Sequence, residues 1–246
     1  MTTGGMSYPK TGSDGHGFKM AKLLGHNIIT PRPALIGMYS QQISRYKIKK
    51  LDLKNVSIEM YVNGKKKYSD FGEMQLNEEG IDGPIIKSAS CWLDDIEGNV
   101  EIFLDLKPAL SIKQINNRII REIKLNPKIK VVDLLRRMLP SDLIIPILDT
   151  IDIKRDKNCS EITKLERENI SKSLKSFKMV VDGLKNIKEA IITSGGVDVK
   201  EINPYTMESR IVKGLYFAGE IIDVNAYTGG FNLQIAYSTG YLAGMD

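Results

Sequence analysis

Cysteine, histidine and tryptophan are scarce in this 246-residue chain, which holds two, two and one of them. Cys91 and Cys159 lie far apart without CxxC spacing. That excludes a disulfide framework and thiol-exchange chemistry, and a reducing, cytoplasmic setting is expected. No metal site is expected either. Long apolar runs are also missing: each is interrupted before it could cross a bilayer, and no basic segment followed by an apolar stretch opens the chain. No membrane partner is therefore expected. At 42% hydrophobic and 26% charged residues the composition is that of a folded globular protein, not a disordered one. The length suits two units, or one domain carrying an insertion. No internal repeat or low-complexity stretch is visible.

Acidic residues are the minority sign, and the net charge is +5. Residues 1–33 and 191–246 together hold seven Lys or Arg and seven acids, so the whole excess lies between them. There Lys47, Lys49, Lys50 and Lys54, then Lys65 to Lys67, cluster around turn residues. Without interleaved aromatics they read as a solvated face, and nucleic acid is not the expected partner.

Three segments follow one another. The first has Gly4, Gly5, a loop through Pro9 and Gly12, and a short helix that Asp14 can cap, with Phe18, Ala21 and Leu24 on one stripe and Gly25 as its stop. A glycine-dense loop before a helix offers N–H groups to an electron-rich ligand. The middle, 34–189, changes character. Over 34–108 short alternating runs (Val56, Ile58, Met60; Val100, Ile102, Leu104) stand between turn signals at Asn63-Gly64, Asp82-Gly83-Pro84 and Glu97-Gly98-Asn99, as in a small antiparallel barrel or sheet. Over 109–175 the period becomes helical: Ile112, Ile115, Ile119 and Ile123, then Val131, Leu134, Leu135 and Met138, with Pro127, Pro140 and Pro146 as punctuation. Trp92 is expected in the core. The end returns to α/β character: Ala190 to Thr193 as a strand, Gly195-Gly196 as a turn, Leu215 to Ala218 as a strand and Phe231 to Ala243 as a helix. Residues 1–33 and 190–246 are expected to form one discontinuous domain around a parallel sheet, with 34–189 inserted.

The chemistry-bearing stretch is the last. Glycine at 219 lets a ligand's hydroxyls approach the backbone, and the Glu220 carboxylate can accept hydrogen bonds from them. Beyond Asp223, Thr228 can cap a helix whose first N–H groups Gly229 and Gly230 leave open, with Phe231 and Asn232 next. Such a helix start suits the site where negative charge develops on a flavin that accepts a hydride. Ala236, Gly240 and Gly244 at four-residue spacing predict a bare helix face packed on a neighbouring backbone.

Gly214-Leu-Tyr-Phe-Ala-Gly-Glu-Ile-Ile-Asp223, with Tyr227-Thr-Gly-Gly-Phe-Asn-Leu-Gln234 and Ser238-Thr-Gly-Tyr-Leu-Ala-Gly244, resembles the C-terminal signature of a flavoprotein family. That family comprises the aminoacetone-oxidase-like and BaiN-like NAD(P)/FAD-dependent oxidoreductases. Thr3-Gly-Gly-Met-Ser-Tyr-Pro-Lys-Thr-Gly-Ser-Asp-Gly15 is similar to the family's mid-chain FAD motif, as is Ile191-Ile-Thr-Ser-Gly-Gly-Val197. Two positions depart: Asp82 stands where the family often has Ser, and Asn225 where Asp is common. The resemblance implies an α/β, Rossmann-like FAD-binding domain held at both termini and interrupted by the insertion. It implies FAD contacts at Gly4, Gly5, Ser7, Thr11, Gly12, Gly219, Glu220, Asp223, Thr228, Gly229, Gly230, Phe231 and Asn232. NAD(P)H is a possible reductant and a small molecule the substrate. The strand and GxGxxG turn that grip the FAD pyrophosphate in such proteins are not found in these residues, so a truncated chain lacking an N-terminal half-domain is expected.

The function expected is the C-terminal portion of an FAD-dependent oxidoreductase. The alternatives are a non-catalytic binding module within a truncated flavoprotein, or a flavoenzyme acting on RNA. Tyr8, His16 and Tyr227 could reach a site, but no catalytic acid or base is assigned.

Overall fold

The computed structural model describes residues 1–93 and 98–245. In chain order the elements are α1 (His16–Leu23), β1 (Ile28–Ala34), β2 (Met38–Tyr39), α2 (Gln41–Ser44), β3 (Lys50–Val62), β4 (Lys65–Asn77), β5 (Gly80–Asp82), α3 (Pro84–Ser90) and β6 (Val100–Asp105). They continue with α4 (Ile112–Leu125), α5 (Val131–Arg136), α6 (Ser141–Thr150), α7 (Lys164–Lys175), β7 (Phe177–Val181), β8 (Gly183–Leu184), β9 (Ile192–Val197) and α8 (Phe231–Ala243). The chain divides into two compact units, one of Met1–Met38, Ile86–Ile96 and Gly183–Asp246, the other of Tyr39–Ile85 and Glu97–Asp182. The expected turn at Glu97 lies outside the described residues; its neighbour Gly98 has a φ of 122°.

The second unit grows from one hairpin. Along β3 the side chains of Leu53, Val56, Ile58 and Met60 are buried, and so are Val100, Ile102 and Leu104 along β6, as the alternation predicts. Val62 pairs with Lys65 across Asn63-Gly64, where both turn residues take positive φ, 51° and 75°, the geometry that matches strand twist in a two-residue turn. The sheet runs β7-β6-β3-β4-β5, antiparallel at each junction, so it recruits a strand from beyond the helices. It does not close into a barrel. The segment around α2 links its edges instead: Ser40 donates through N–H to the Glu79 carbonyl and through its hydroxyl to the Val180 carbonyl.

Helices α4 and α7 both start on capping boxes, Ser111 with Gln114 and Thr163 with Glu166. Ile115 and Ile119 of α4, Val131, Leu134 and Leu135 of α5, and Leu143, Ile144 and Ile147 of α6 are buried. Ile112 is exposed at the first position of α4, before the stripe faces inward. Pro127 and Pro140 stand between helices, whereas Pro146 lies inside α6, which runs through it at the loss of one ladder bond.

In the first unit β1 and β9 pair antiparallel, and Val197 forms a parallel bridge with Ile222. Gly195-Gly196 is no turn: both residues lie within β9. A Cβ at Gly195 would lie 2.5 Å from the Thr30 carbonyl oxygen, and one at Gly196 2.4 Å from that of Ile221. The two glycines let neighbouring backbone close on both sides of the strand. Leu215 to Ala218 is not a ladder strand: Tyr216 bridges Glu208, and the N–H of Phe217 reaches the Met207 carbonyl. Phe217 packs with Phe18, Ala21, Val197, Ile202, Met207, Ile221 and Ile222 into this unit's core. Beside it the buried His26 ring bridges Glu201 (Nδ1 to Oε2, 3.1 Å) and Ser209 (Nε2 to Oγ, 3.0 Å).

Three expectations fail here for local reasons. Gly15, not Asp14, is the N-cap of α1, and the Asp14 carboxylate accepts from the His16 N–H one position early. Leu24 is exposed because it falls at the C-cap, just before Gly25 turns the chain at φ 94°. Trp92, in the turn after α3, is 47% exposed and not a core residue.

Met60→Ala should destabilise the chain by about 2–5 kcal/mol, the usual cost of emptying a fully buried site, and Thr163→Ala by about 1 kcal/mol through loss of its cap; chemical denaturation measures both. The Lys157 ammonium, 2.7 Å from Glu166, and the Thr163 N–H hold the Glu166 carboxyl below its ordinary range. A depressed folded-state pKa stabilises above the unfolded value and loses that stabilisation as pH falls through the folded one. Glu166→Gln should thus lower Tm at neutral pH and match the parent chain below the ordinary glutamate range.

Candidate functional site

One carboxylate oxygen gathers the site. Glu220 Oε1 accepts the Thr193 N–H at 2.6 Å and the Ser7 hydroxyl at 2.9 Å. Thr193 Oγ1 in turn accepts the N–H groups of Met6 at 2.7 Å and Ser7 at 3.1 Å. Loop 5–7, the start of β9 and the turn at Gly219–Ile221 are thereby fixed to one another. Gly5 is at the closest point: a Cβ there would lie 2.3 Å from Thr193 Oγ1 and 2.6 Å from Glu220 Oε1. Among the described residues nothing engages Glu220 Oε2, which leaves that oxygen for a ligand hydroxyl.

Beside this node a cleft of about 430 Å³ opens, within the range usual for small-molecule sites. Leu35, Ile191, Ile192, Leu233 and Ile235 make its walls mostly apolar, and Thr193, Glu220, Asn225, Tyr227, Thr228 and Asn232 are its polar points. Helix α8 starts at its rim. Gly229 and Gly230 take φ of 120° and 86°, and the N-cap Gly230 provides no side-chain cap. The first-turn N–H groups of α8 are therefore uncapped by side chain, at the positive end of a 13-residue helix.

The loop ahead of the helix is clamped from within. Asn232 Oδ1 accepts the Ala226 N–H at 2.8 Å, and its Nδ2 donates to the Ala226 carbonyl at 2.7 Å. Asn225, where Asp is common in the resembling family, donates through Nδ2 to Ser194 Oγ at 2.8 Å, a bond an ionised carboxylate could make only as acceptor. Thr239 Oγ1 accepts the Gly219 N–H at 3.0 Å, so α8 also holds the turn that carries Glu220.

Of the residues expected at a cofactor, Glu220, Thr228, Gly229, Gly230 and Asn232 line the cleft. Gly5 and Ser7 support it through the Glu220 node, and Gly219 through Thr239. Gly4 has φ 72° and faces the Ser13 hydroxyl. Thr11 and Gly12 belong to an exposed 3₁₀ turn, with the Thr11 hydroxyl on the Tyr8 carbonyl, and do not line the cleft. Asp223 donates its N–H to Val197 and Phe231 is 58% exposed outside the lining. Tyr227 is a lining residue; Tyr8 and His16 are exposed elsewhere.

Two local expectations change. Thr228 does not cap α8: its hydroxyl lies 3.3 Å from that of Ser88, and Gly230 occupies the cap position. The small-residue face of α8 is closely approached only at Ala236, whose Cβ is 3.8 Å from where a Gly219 side chain would begin; at Gly240 the space is open. Thr193 and the apolar walls were not among the expected contacts. Adjacent hydroxyl residues, Thr193 and Ser194, next to the apolar run Ala190 to Ile192 were the available signal for Thr193.

Compared with known proteins, residues 1–246 match the family described as HI0933-like protein Rossmann domain. The chain is 29% identical over 246 residues to a ribosomal RNA dihydrouridine synthase of Haemophilus influenzae, covering all of this chain and 59% of that protein. It is 27% identical over 249 residues to a 3-dehydro-bile acid delta(4,6)-reductase of Clostridium scindens, covering 99% of this chain and 60% of the relative. A ribosomal RNA dihydrouridine synthase of Escherichia coli is 24% identical over 249 residues, covering 100% of this chain and 59% of its own length. The chain thus spans about three-fifths of the curated relatives it matches.

Thr193→Val keeps the strand's shape but leaves the Met6 and Ser7 N–H groups unpaired, and should cost about 1–3 kcal/mol for each group that water cannot reach. Gly5→Ala should be at least as damaging. Thermal denaturation of each variant, with Thr11→Ala as a control on the exposed turn, measures the difference.

Proposed function

The chain belongs to this HI0933-like Rossmann-domain family of FAD-binding flavoproteins, and we propose that it supplies the flavin-ring side of an FAD-dependent oxidoreductase. The observation that carries the reading is the uncapped start of α8 opening on a mostly apolar cleft. The residues fit the ring end of the cofactor: a Cβ at Gly230 would meet nothing within 4 Å, so the helix start faces open space, and the walls suit a flat aromatic system.

A bound flavin supplies hydride transfer, with negative charge gathering at one edge of the ring system. First-turn N–H groups at Phe231 to Leu233 would stabilise that charge. Asn232 holds the preceding loop, so those donors need little reorganisation. Glu220 positions β9 through Oε1 and offers Oε2 to a ribityl hydroxyl. Leu35, Ile191 and Leu233 exclude water from the reacting face. A nicotinamide donor is the proposed reductant, and an unsaturated ring the proposed substrate class, since the names of the relatives describe a bile-acid reductase and uridine-reducing synthases.

RNA is the second reading of the substrate, favoured by the two relatives named ribosomal RNA dihydrouridine synthases.

Titration of FAD with the purified chain should quench flavin fluorescence and structure its visible absorbance. Asn232→Ala, which frees the loop, should weaken binding about tenfold while leaving the far-UV circular dichroism spectrum unchanged, the loss expected for two hydrogen bonds. No spectral change on titration, or an Asn232→Ala chain that binds as tightly as the parent, would overturn the reading. Anaerobic bleaching by NADH or NADPH then tests the reductant.

A further inference from the structure

The positive excess of this protein is concentrated where the chain leaves α2 for β3: Arg45-Tyr-Lys-Ile-Lys-Lys50 has four cations in six residues. Ile48 is buried and anchors the run, while Lys47, Lys49 and Lys50 are exposed around it. These lysines share a cleft of about 450 Å³ with Tyr46 on one side and Ser141 and Asp142, the first turn of α6, on the other. The elements belong to one compact unit, so the cleft is a fixed feature of it.

Counter-charge is thin there. Asp142 is the one carboxylate lining the cleft. Lys50 lies 3.5 Å from Asp52, with both side chains more than half exposed, a pair that leaves the ammonium largely available. Among the described residues Lys47 and Lys49 have no ion pair. Tyr46 adds an aromatic to the run: the Arg45 guanidinium lies over its ring, 4.9 Å from the centroid, and donates to its hydroxyl at 2.8 Å. A chain of regularly spaced negative charges with flat groups between them complements this arrangement. An anionic bilayer fits less well, because the patch is concave and its lining offers no exposed large apolar anchor.

We propose that this cleft is a docking site for the phosphate backbone of single-stranded RNA, with Lys47, Lys49 and Lys50 on the phosphates and Tyr46 beside a base. The inference accords with the RNA reading of the flavin site but does not require it, since the cleft is built entirely within the other unit. It replaces the plain solvated face expected from the charge run alone.

The test is fluorescence anisotropy of the full chain with a short labelled RNA of mixed sequence at several salt concentrations. Each lysine on a phosphate contributes about 0.7 to the slope of log affinity against log salt for a single strand, so Lys47→Gln/Lys49→Gln/Lys50→Gln should flatten the slope by about 2 and weaken binding at low salt at least about tenfold. The control Lys65→Gln/Lys66→Gln/Lys67→Gln removes equal charge at the β3–β4 turn and should change affinity by less than about threefold. Both triples must retain the parent's circular dichroism spectrum; if the cleft triple does not, Lys49→Gln alone, exposed and off the left-handed backbone position of Lys47, should show about one third of the slope change. Equal losses in the two triples, no RNA binding by the parent at low salt, or binding to phosphatidylglycerol vesicles without binding to RNA would each overturn the proposal. RNA binding needs no flavin, so a failed FAD titration leaves this result independent, and the reverse holds.

Discussion

The Glu220 carboxylate is the point on which the first unit turns. Through one oxygen it receives the β9 backbone at Thr193 and the loop at Ser7, and Thr193 extends the grip to Met6, so three bonds join residues about two hundred positions apart and a fourth ties Thr193 to Glu220. Gly5 lets the backbone come close enough to make them. The cleft wall at Ile191 and Ile192, the turn at Gly219–Ile221 and the start of α8 inherit their positions from this node. The same carboxylate is thus a structural fastener before it is a ligand contact.

Much of the secondary structure was legible because it rests on local rules. Val56, Ile58 and Met60 alternate as half-buried strands must, Asn63-Gly64 supplies the positive φ of a tight hairpin, and the helical stripes of 109–175 bury most of the residues their period selects, Ile112 remaining exposed. What escaped is non-local. Gly195-Gly196 has the composition of a turn, yet it sits in a strand because Thr30 and Ile221 press on it from segments far away in sequence. β7 joins the sheet from beyond four helices, and no local pattern announces its partner β6. At the cleft, Gly229-Gly230 and Asn232 could be placed from sequence, whereas Thr193 needed the fold to bring it to Glu220, and Thr228 to be drawn from the helix cap toward Ser88.

The two units divide the chemistry between them. One holds a mostly apolar cleft with a helix start at its rim, suited to a planar cofactor whose charge changes on reduction. The other concentrates the basic residues, which the flavin reading does not use.

The interleaving of the units also orders their birth. The chain enters the first unit, leaves it at residue 39, returns for 86–96, leaves again and comes back for good at 183. On a ribosome the second unit has all its residues once Asp182 emerges, while loop 5–7 must wait for Glu220 before its hydroxyl and amides find their acceptors. The second unit can therefore consolidate first and shorten the effective loop that the first unit has to close. The segment containing Gly4 and Gly5 is made before Thr193 and Glu220 and is seated only after them.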